Sequence, residues 1–319
     1  MADWTDRHWL RETHEWIRGR TEELGIAIVG PIEQPHVQPW ATVLRVPTDR
    51  GSVWFKANIP VLAHEAAVVG VLARRRPDCV PELHAVDHEH GWMLMGDGGV
   101  RLREVVERDR DLGRWCELLP LYARLQLDLA GAADELVALG APDRRLATLG
   151  DQYGELLERV DGMSARKLRR LRGLRLRVAE MCDQLAEGGI PETIQHDDLH
   201  DGQIFVDGDR YLFFDWGDAC VSHPLFTMAV TLEGCLAWGL DDVENSEDIG
   251  RFRDAYLGPF ASFGTPAELE EMHGVALRLG WICRALNVDL LASALDLPYR
   301  EEHTERVRIR LLLFAKGLA

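Results

Sequence analysis

The apolar residues of this chain change their spacing once along its length, and that change restricts the fold to two dissimilar parts. Between residues 26 and 58 they fall in short runs broken by proline and glycine: Ile26-Ala27-Ile28-Val29, then Ala41-Thr42-Val43-Leu44-Arg45-Val46, then Ser52-Val53-Trp54-Phe55-Lys56-Ala57. The last two runs are β-rich, and Pro47-Thr48-Asp49-Arg50-Gly51 between them predicts a hairpin. Residues 82–87 and 92–95 are two further strand candidates. Beyond residue 100 apolar residues recur every three or four positions, as in 118–136 and 166–185, which predicts helices. The exception is Ile204-Phe205-Val206, the turn Asp207-Gly208-Asp209 and Tyr211-Leu212-Phe213-Phe214, a strand-turn-strand unit. Met95-Gly96-Asp97-Gly98-Gly99 separates the two textures as an expected hinge.

Two helices belong with the first part. In residues 4–24, Trp9, Leu10, Thr13, Trp16 and Ile17 lie at helical spacing with charges between them, and Gly25 is the expected stop. Residues 60–76 read as a second helix, ended by Pro77-Asp78. The expected fold is therefore α+β and bilobal: a small antiparallel-sheet lobe over 1–96 and a larger, mainly helical lobe over 97–319. No internal repeat is visible.

A formal charge of −17 argues against a nucleic-acid partner, since phosphate backbones are held by an excess of Lys and Arg. It suits a cationic small molecule better, although acidic surfaces also serve solubility alone. The six cysteines are scattered without a Cys-x-x-Cys pair and read as core thiols. No signal-like segment opens the chain and no run reaches about 18 apolar residues, so the expectation is a cytoplasmic protein without a membrane partner, monomeric or homodimeric.

Chemistry is concentrated in His196-Asp197-Asp198-Leu199-His200-Asp201-Gly202-Gln203 and in Phe214-Asp215-Trp216. Asp198 and Asp215 each stand where a β-type segment meets a loop, and the hairpin between them brings the two loops together. Converging carboxylates suit phosphoryl transfer, one orienting and deprotonating a hydroxyl while the other holds Mg²⁺. Gln203 adds a neutral oxygen of the kind a hard cation accepts. His196, Asp198, His200 and Asp215 are equally a donor set for a transition metal, which leaves a metal-dependent hydrolase open.

At these residues the chain resembles the aminoglycoside phosphotransferase and choline kinase superfamily, whose catalytic loop reads H-G-D-x-H-x-x-N. Asp215-Trp216-Gly217 is similar to its downstream metal motif. The resemblance implies a protein-kinase-like fold, ATP and Mg²⁺ as cofactors, Asp198 as catalytic base, and Asp215 and Gln203 as metal ligands. It further implies that Lys56 contacts the nucleotide phosphates, that Glu65 pairs with it, and that the adenine-binding hinge runs from Met93 through Met95 to Asp97. Asp197 stands where the family has Gly, Gln203 where it has Asn, and in place of a glycine-rich loop before Lys56 the corresponding turn reads Gln34-Pro35-His36-Val37-Gln38-Pro39-Trp40.

The expected acceptor is a small-molecule hydroxyl. The acidic balance favours a cationic one, an aminoglycoside-like antibiotic or amino sugar, with antibiotic resistance as the corresponding role. Asp197, Asp201, Asp218, Glu233, Trp238, Trp281 and Arg284 are the residues expected near it. A kinase of another metabolite or nucleoside antibiotic, and a silent nucleotide-binding module consistent with Gln203, remain as alternatives.

Overall fold

A computed structural model describes residues 3–236 and 247–318, without the side chains of 233–236, 247 and 248. The chain begins with helix α1 (Arg7–Glu23), whose first turn is capped by the Asp6 carboxylate accepting from the backbone N–H groups of His8 and Trp9. Gly25 follows with φ +64°, a left-handed value open to glycine without a Cβ penalty, and ends the helix as expected. The chain then forms β1 (Glu33–Val37), β2 (Ala41–Thr48), β3 (Gly51–Asn58), α2 (His64–Arg75), β4 (Leu83–Asp87) and β5 (Trp92–Met95). These strands make one antiparallel sheet in the order β1-β2-β3-β5-β4.

Strand alternation sorts the side chains of this sheet onto two faces. Leu44, Val46, Val53, Phe55, Ala57, Trp92 and Leu94 share one core with Trp4, Ile17, Leu291 and Leu295, so α1 covers that face together with the end of a later helix. Trp9 and Trp16 of α1 meet Phe55 and Trp92 edge-on at centroid separations of 5.7–6.5 Å. Met93 and Met95 point the other way and share a core with Val68, Val69 and Leu72 of α2. Lys56, between Phe55 and Ala57, is thereby turned away from α1 and toward α2.

Two expectations for this part need correction. Residues 34–37 lie in β1 and are not a turn; Pro35 is tolerated there because β1 is an edge strand and its register shifts between Glu33 and His36. Residues 26–29 make only a single bridge, Ile28 to Thr48. The strands also extend through Pro47 and Thr48, leaving Asp49-Arg50 as the turn. Pro47 lies beyond the last β1 pair, where its missing N–H costs no ladder bond.

The helical part comprises β6 (Val100–Arg101), α3 (Leu102–Asp109), α4 (Arg114–Leu129), α5 (Ala133–Ala138), α6 (Leu146–Arg159), α7 (Ala165–Gly173), α8 (Arg175–Glu187), β7 (Thr193–Gln195), β8 (Ile204–Asp207), β9 (Arg210–Phe213), β10 (Cys220–Ser222), α9 (Thr227–Leu236), α10 (Glu247–Leu257), α11 (Pro266–Ala294) and α12 (Tyr299–Ala315). β8 and β9 form the expected hairpin, with β6 added alongside β8. Gly99, at φ +83°, makes that addition possible: a Cβ there would stand 2.4 Å from the Val206 carbonyl oxygen. β7 pairs with β10, so the loop between β7 and β8 and the loop between β9 and β10 leave neighbouring structures. α11 is fixed at its start by a capping box of Thr265 and Glu268 and by Pro266 at its first position. Among the described residues no helix is long and apolar enough to cross a membrane.

Candidate active site

The two acidic loops meet facing the sheet. Lys56 donates to Glu65 Oε1 at 2.8 Å and to Asp215 Oδ1 at 2.6 Å. Glu65, fully buried at the start of α2, also accepts from the Asn58 amide at 2.5 Å and from the backbone N–H of Trp216 at 2.9 Å. One carboxylate thus ties together β3, α2 and the segment after β9. Burial opposes the charge on Lys56, but Asp215 and Glu65 outweigh it and hold its pKa above the usual range. Burial likewise acts to raise Asp215, and Lys56 overrides it, lowering the carboxyl to about 2. For Glu65 burial prevails over the pull of Lys56, and the pKa is raised.

The loop that carries Asp198 is held from behind. His196 is buried, with Nε2 2.7 Å from the Phe214 carbonyl and Nδ1 3.3 Å from the Asp198 backbone N–H. Both ring nitrogens therefore serve the backbone, and burial keeps the ring's pKa low. The His196 N–H in turn donates to the Tyr122 hydroxyl of α4 at 2.9 Å. His200 Nδ1 accepts from the Gly202 N–H at 2.9 Å and shapes the same loop. These contacts remove His196 from the donor set of a transition-metal hydrolase.

Asp197 has φ +61° and Asp215 φ +59°. In this left-handed region a Cβ is disfavoured, which gives a physical reason for glycine at the position of Asp197; Asp is one of the residues that tolerate it. The Asp197 carboxylate is 1% exposed and does not reach the cleft mouth. It accepts from the amides of Asn287 at 2.7 Å and Gln195 at 3.1 Å, and stands 3.5 Å from Arg284. Burial raises its pKa to about 6. Asp201 is equally buried and is bound by Arg103 at 2.8 Å. The expectation that Asp197 and Asp201 supply substrate-binding charge is therefore corrected: both are internal partners of the loop.

Arg284, expected near the acceptor, lines a smaller cavity beside Asp198 and also binds the loop that carries Asp198. Its Nη2 is 2.6 Å from Asp198 Oδ1 and its Nη1 3.1 Å from Asp218 Oδ2. Burial raises the pKa of Asp198, with Arg284 opposing that rise. Arg284, Asn287, Val288 and Leu291 recur at helical spacing on α11 and so face one way, toward the loop. Asn58, Arg103 and Asn287 were absent from the sequence expectations. Asn287 had a legible signal, a polar residue one turn after Arg284 inside the apolar run Ala285-Leu286-Asn287-Val288.

Gln203 donates its amide N–H to Asp215 Oδ2 at 3.0 Å, so its carbonyl oxygen is the end on offer to a cation. Among the described residues no group of three His, Cys, Asp or Glu side chains could hold a metal. A pair of oxygen donors nevertheless fits Mg²⁺, which keeps several waters and completes its shell with substrate phosphates. A cleft of about 700 Å³ opens beside them, lined by Lys56, Asp215 and Gln203 at one end and by Val43, Val69, Met95 and Phe214 among others. Met95 lines it, whereas Met93, on the same face of the sheet, is fully buried in the core against α2 and is not a lining residue. Trp281 is partly buried against the helical core and lines neither this cleft nor its continuation. Trp238 and the side chain of Glu233 lie outside the described residues.

A model of the phosphotransferase enzyme family matches residues 37–272. No curated protein matches the chain. Among solved structures, a choline/ethanolamine kinase family protein from Mesorhizobium loti is 18% identical, with 95% of each chain covered and a TM-score of 0.57. Ethanolamine kinase from Plasmodium vivax is 14% identical over 98% of this chain and 91% of that one, TM-score 0.60. The GDP complex of aminoglycoside 2'-phosphotransferase-IIIa is 14% identical over 94% and 98%, TM-score 0.62. At these identities the likeness shows a shared protein-kinase-like fold, with an antiparallel-sheet N-terminal part and a mostly helical remainder.

Proposed function

Because the chain belongs to the phosphotransferase enzyme family, and is thereby a small-molecule phosphotransferase, we propose that it moves the γ-phosphate of ATP to a hydroxyl of its acceptor, with Asp198 as the base. The observation that carries this reading is the convergence of Lys56 and Glu65 on Asp215, which lines both the cleft and the smaller adjoining cavity that Asp198 lines. Neighbours solved with GDP support nucleotide use. The boundary between a nucleotide-binding lobe, 1–96, and an acceptor-binding lobe, 97–319, belongs to the same proposal.

The adenine ring would lie in the apolar part of the cleft beside Met95, with Lys56 meeting the phosphates and held for that purpose by Glu65. Asp215 and Gln203 would hold Mg²⁺, which neutralises phosphate charge when bound. Asp198 orients the acceptor hydroxyl and takes its proton as the oxygen bonds to the γ-phosphorus and ADP departs. Positioning and charge supply most of the rate, since phosphoryl transfer needs little covalent help.

Of the acids expected to favour a cationic acceptor, Asp197 and Asp201 are buried, while Asp218 lines the smaller cavity beside Asp198 and shares Arg284 with it. The decisive experiment on the reaction is Asp198→Asn. It should lower acceptor-dependent ADP release by about 10²–10⁴-fold while nucleotide affinity and the circular dichroism spectrum are retained; full turnover by a folded Asn variant would remove the reading. Nucleotide binding without turnover by the unaltered protein, across acceptors of every charge, would select the silent binding module.

A further inference from the structure

Two imidazoles stand in the loop between β7 and β8, and their surroundings differ. His196 is buried and both its ring nitrogens serve the backbone. His200 lines the cleft of about 700 Å³. Its Nδ1 accepts from the Gly202 N–H at 2.9 Å and has a second donor, Arg103 Nη2, at 3.4 Å. A ring nitrogen that accepts carries no proton, so the proton of His200 is on Nε2. Arg103 is itself anchored on the buried Asp201 carboxylate at 2.8 Å. Gly202 leaves the ring its place, since a Cβ there would stand 2.7 Å from Cε1. The ring is therefore fixed in tautomer and in direction. Its Nε2 stands 3.6 Å from Asp198 Oδ2, beyond hydrogen-bond reach, while Arg284 holds the other Asp198 oxygen, Oδ1, at 2.6 Å. His200 lines the cleft and Asp198 the smaller cavity of about 290 Å³, with Gln203 and Asp215 lining both. The two spaces thus meet beside the His200–Asp198 pair.

We propose that the Nε2–H of His200 binds a γ-phosphate oxygen of ATP at this junction and keeps that bond while the phosphoryl group passes to the acceptor. The inference rests on the phosphotransferase reading and adds a residue to its machinery. A phosphoryl group that leaves a nucleotide in the cleft for a hydroxyl held by Asp198 has to pass the junction, and there it meets a donor that Asp198 does not engage. Charge on the transferred group is spread over its three oxygens. A donor already fixed in place needs no reorientation as that charge shifts, which is the condition under which one hydrogen bond counts most in a transfer step. In the step itself the acceptor oxygen bonds to the γ-phosphorus and the bond from that phosphorus to the β,γ-bridging oxygen breaks. The hydroxyl proton goes to Asp198, ADP leaves, and His200 retains its proton throughout.

The test is the affinity of the full chain, with Mg²⁺, for ADP and for β,γ-imido-ATP, which has the γ-phosphate oxygens and resists transfer, measured by calorimetric titration. Two variants separate the ring nitrogens. His200→Asn places an amide oxygen near Nδ1, so the Gly202 N–H retains an acceptor and the Nε2–H is lost; His200→Gln, one methylene longer, places an amide N–H near Nε2 and loses the acceptor. His200→Asn should weaken imido-ATP about tenfold, the worth of one hydrogen bond to a charged group, and leave ADP in place, while His200→Gln holds imido-ATP more tightly than Asn does. On any hydroxyl acceptor that the unaltered protein phosphorylates, kcat should fall about 10²–10³-fold in the Asn variant and less in Gln. An Asn variant that retains the unaltered ratio of the two affinities, or that outperforms Gln, would overturn the inference, confine His200 to shaping the loop and leave the phosphotransferase reading standing. Binding of neither nucleotide by the unaltered protein would count against that reading itself and take the inference with it.

Discussion

The Arg284 guanidinium on α11 sits 2.6 Å from the carboxylate of Asp198 in the catalytic loop. It also faces Asp218 at 3.1 Å and Asp197 at 3.5 Å, so a single buried cation balances three carboxylates. A guanidinium in contact with the carboxylate proposed as base orients it and opposes the rise in pKa that burial causes. Arg284→Gln removes that balance. The acid limb of the kcat pH profile should move to higher pH, because the largest opposition to burial, which raises Asp198, is then gone. We expect kcat to fall about tenfold to a hundredfold from misplacement of the carboxylate, and unfolding free energy to fall by about 3–5 kcal/mol because a buried ion pair is broken. Arg284→Lys should restore part of the pH shift; an unmoved acid limb in Arg284→Gln would show that the contact is structural only.

Asp197 combines a left-handed backbone with a buried carboxylate. Replacement by Ala or by Gly removes the same bonds to Asn287 and Gln195, but only Ala also carries the steric cost of a Cβ at φ +61°. Asp197→Ala should therefore be less stable than Asp197→Gly by about 1 kcal/mol in urea denaturation. Equal midpoints would mean that the backbone relaxes out of the left-handed region once the carboxylate is gone.

The reach of the sequence can be judged from these residues. Lys56 was legible because it sits in an apolar strand whose period sets the direction of its side chain, and Asp198 and Asp215 because each follows closely on a short β-type segment. The pairing of Lys56 with Glu65 was legible through the resemblance, and their 2.7 Å ion pair agrees with it. The partners of Asp197, Asp198 and Asp201 were not. Arg284 and Asn287 come from a helix far along the chain, and Arg103 from α3, so only packing brings them to the loop. Strands β6, β7 and β10, of two or three residues, are too short to show a period. β1 was hidden by Pro35, a residue that argues against a strand except at an edge.

Gln203 offers a direct test of metal dependence. Its amide stands beside Asp215, and the extra methylene relative to Asn lengthens its reach. Gln203→Ala should raise the Mg²⁺ concentration for half-maximal turnover by about tenfold, the lower end of what loss of a metal-orienting group costs. Gln203→Asn should lie between Ala and the unaltered protein. Chelation of Mg²⁺ by EDTA should abolish turnover, and added Mg²⁺ should restore it. A Mg²⁺ requirement unchanged in the Ala variant would leave Asp215 as the sole protein ligand.

Acid stability should be set in part by two buried histidines that line neither cavity. His223 is fully buried and neither ring nitrogen has a hydrogen-bond partner among the described residues. Burial lowers its pKa to about 3, and burial also lowers that of His273 to about 4. Between the unfolded value of about 6.5 and these folded values, the unfolded chain takes up protons that the folded chain refuses. Stability is therefore fully present above pH 6.5 and falls as pH drops, by up to about 1.4 kcal/mol per pH unit for each histidine. His223→Leu removes one titrating group and should flatten the fall in unfolding free energy between pH 6 and about 4, measured by urea denaturation at each pH. A slope as steep as that of the unaltered protein would show that His223 gains a proton in the folded state and that its pocket admits the charge.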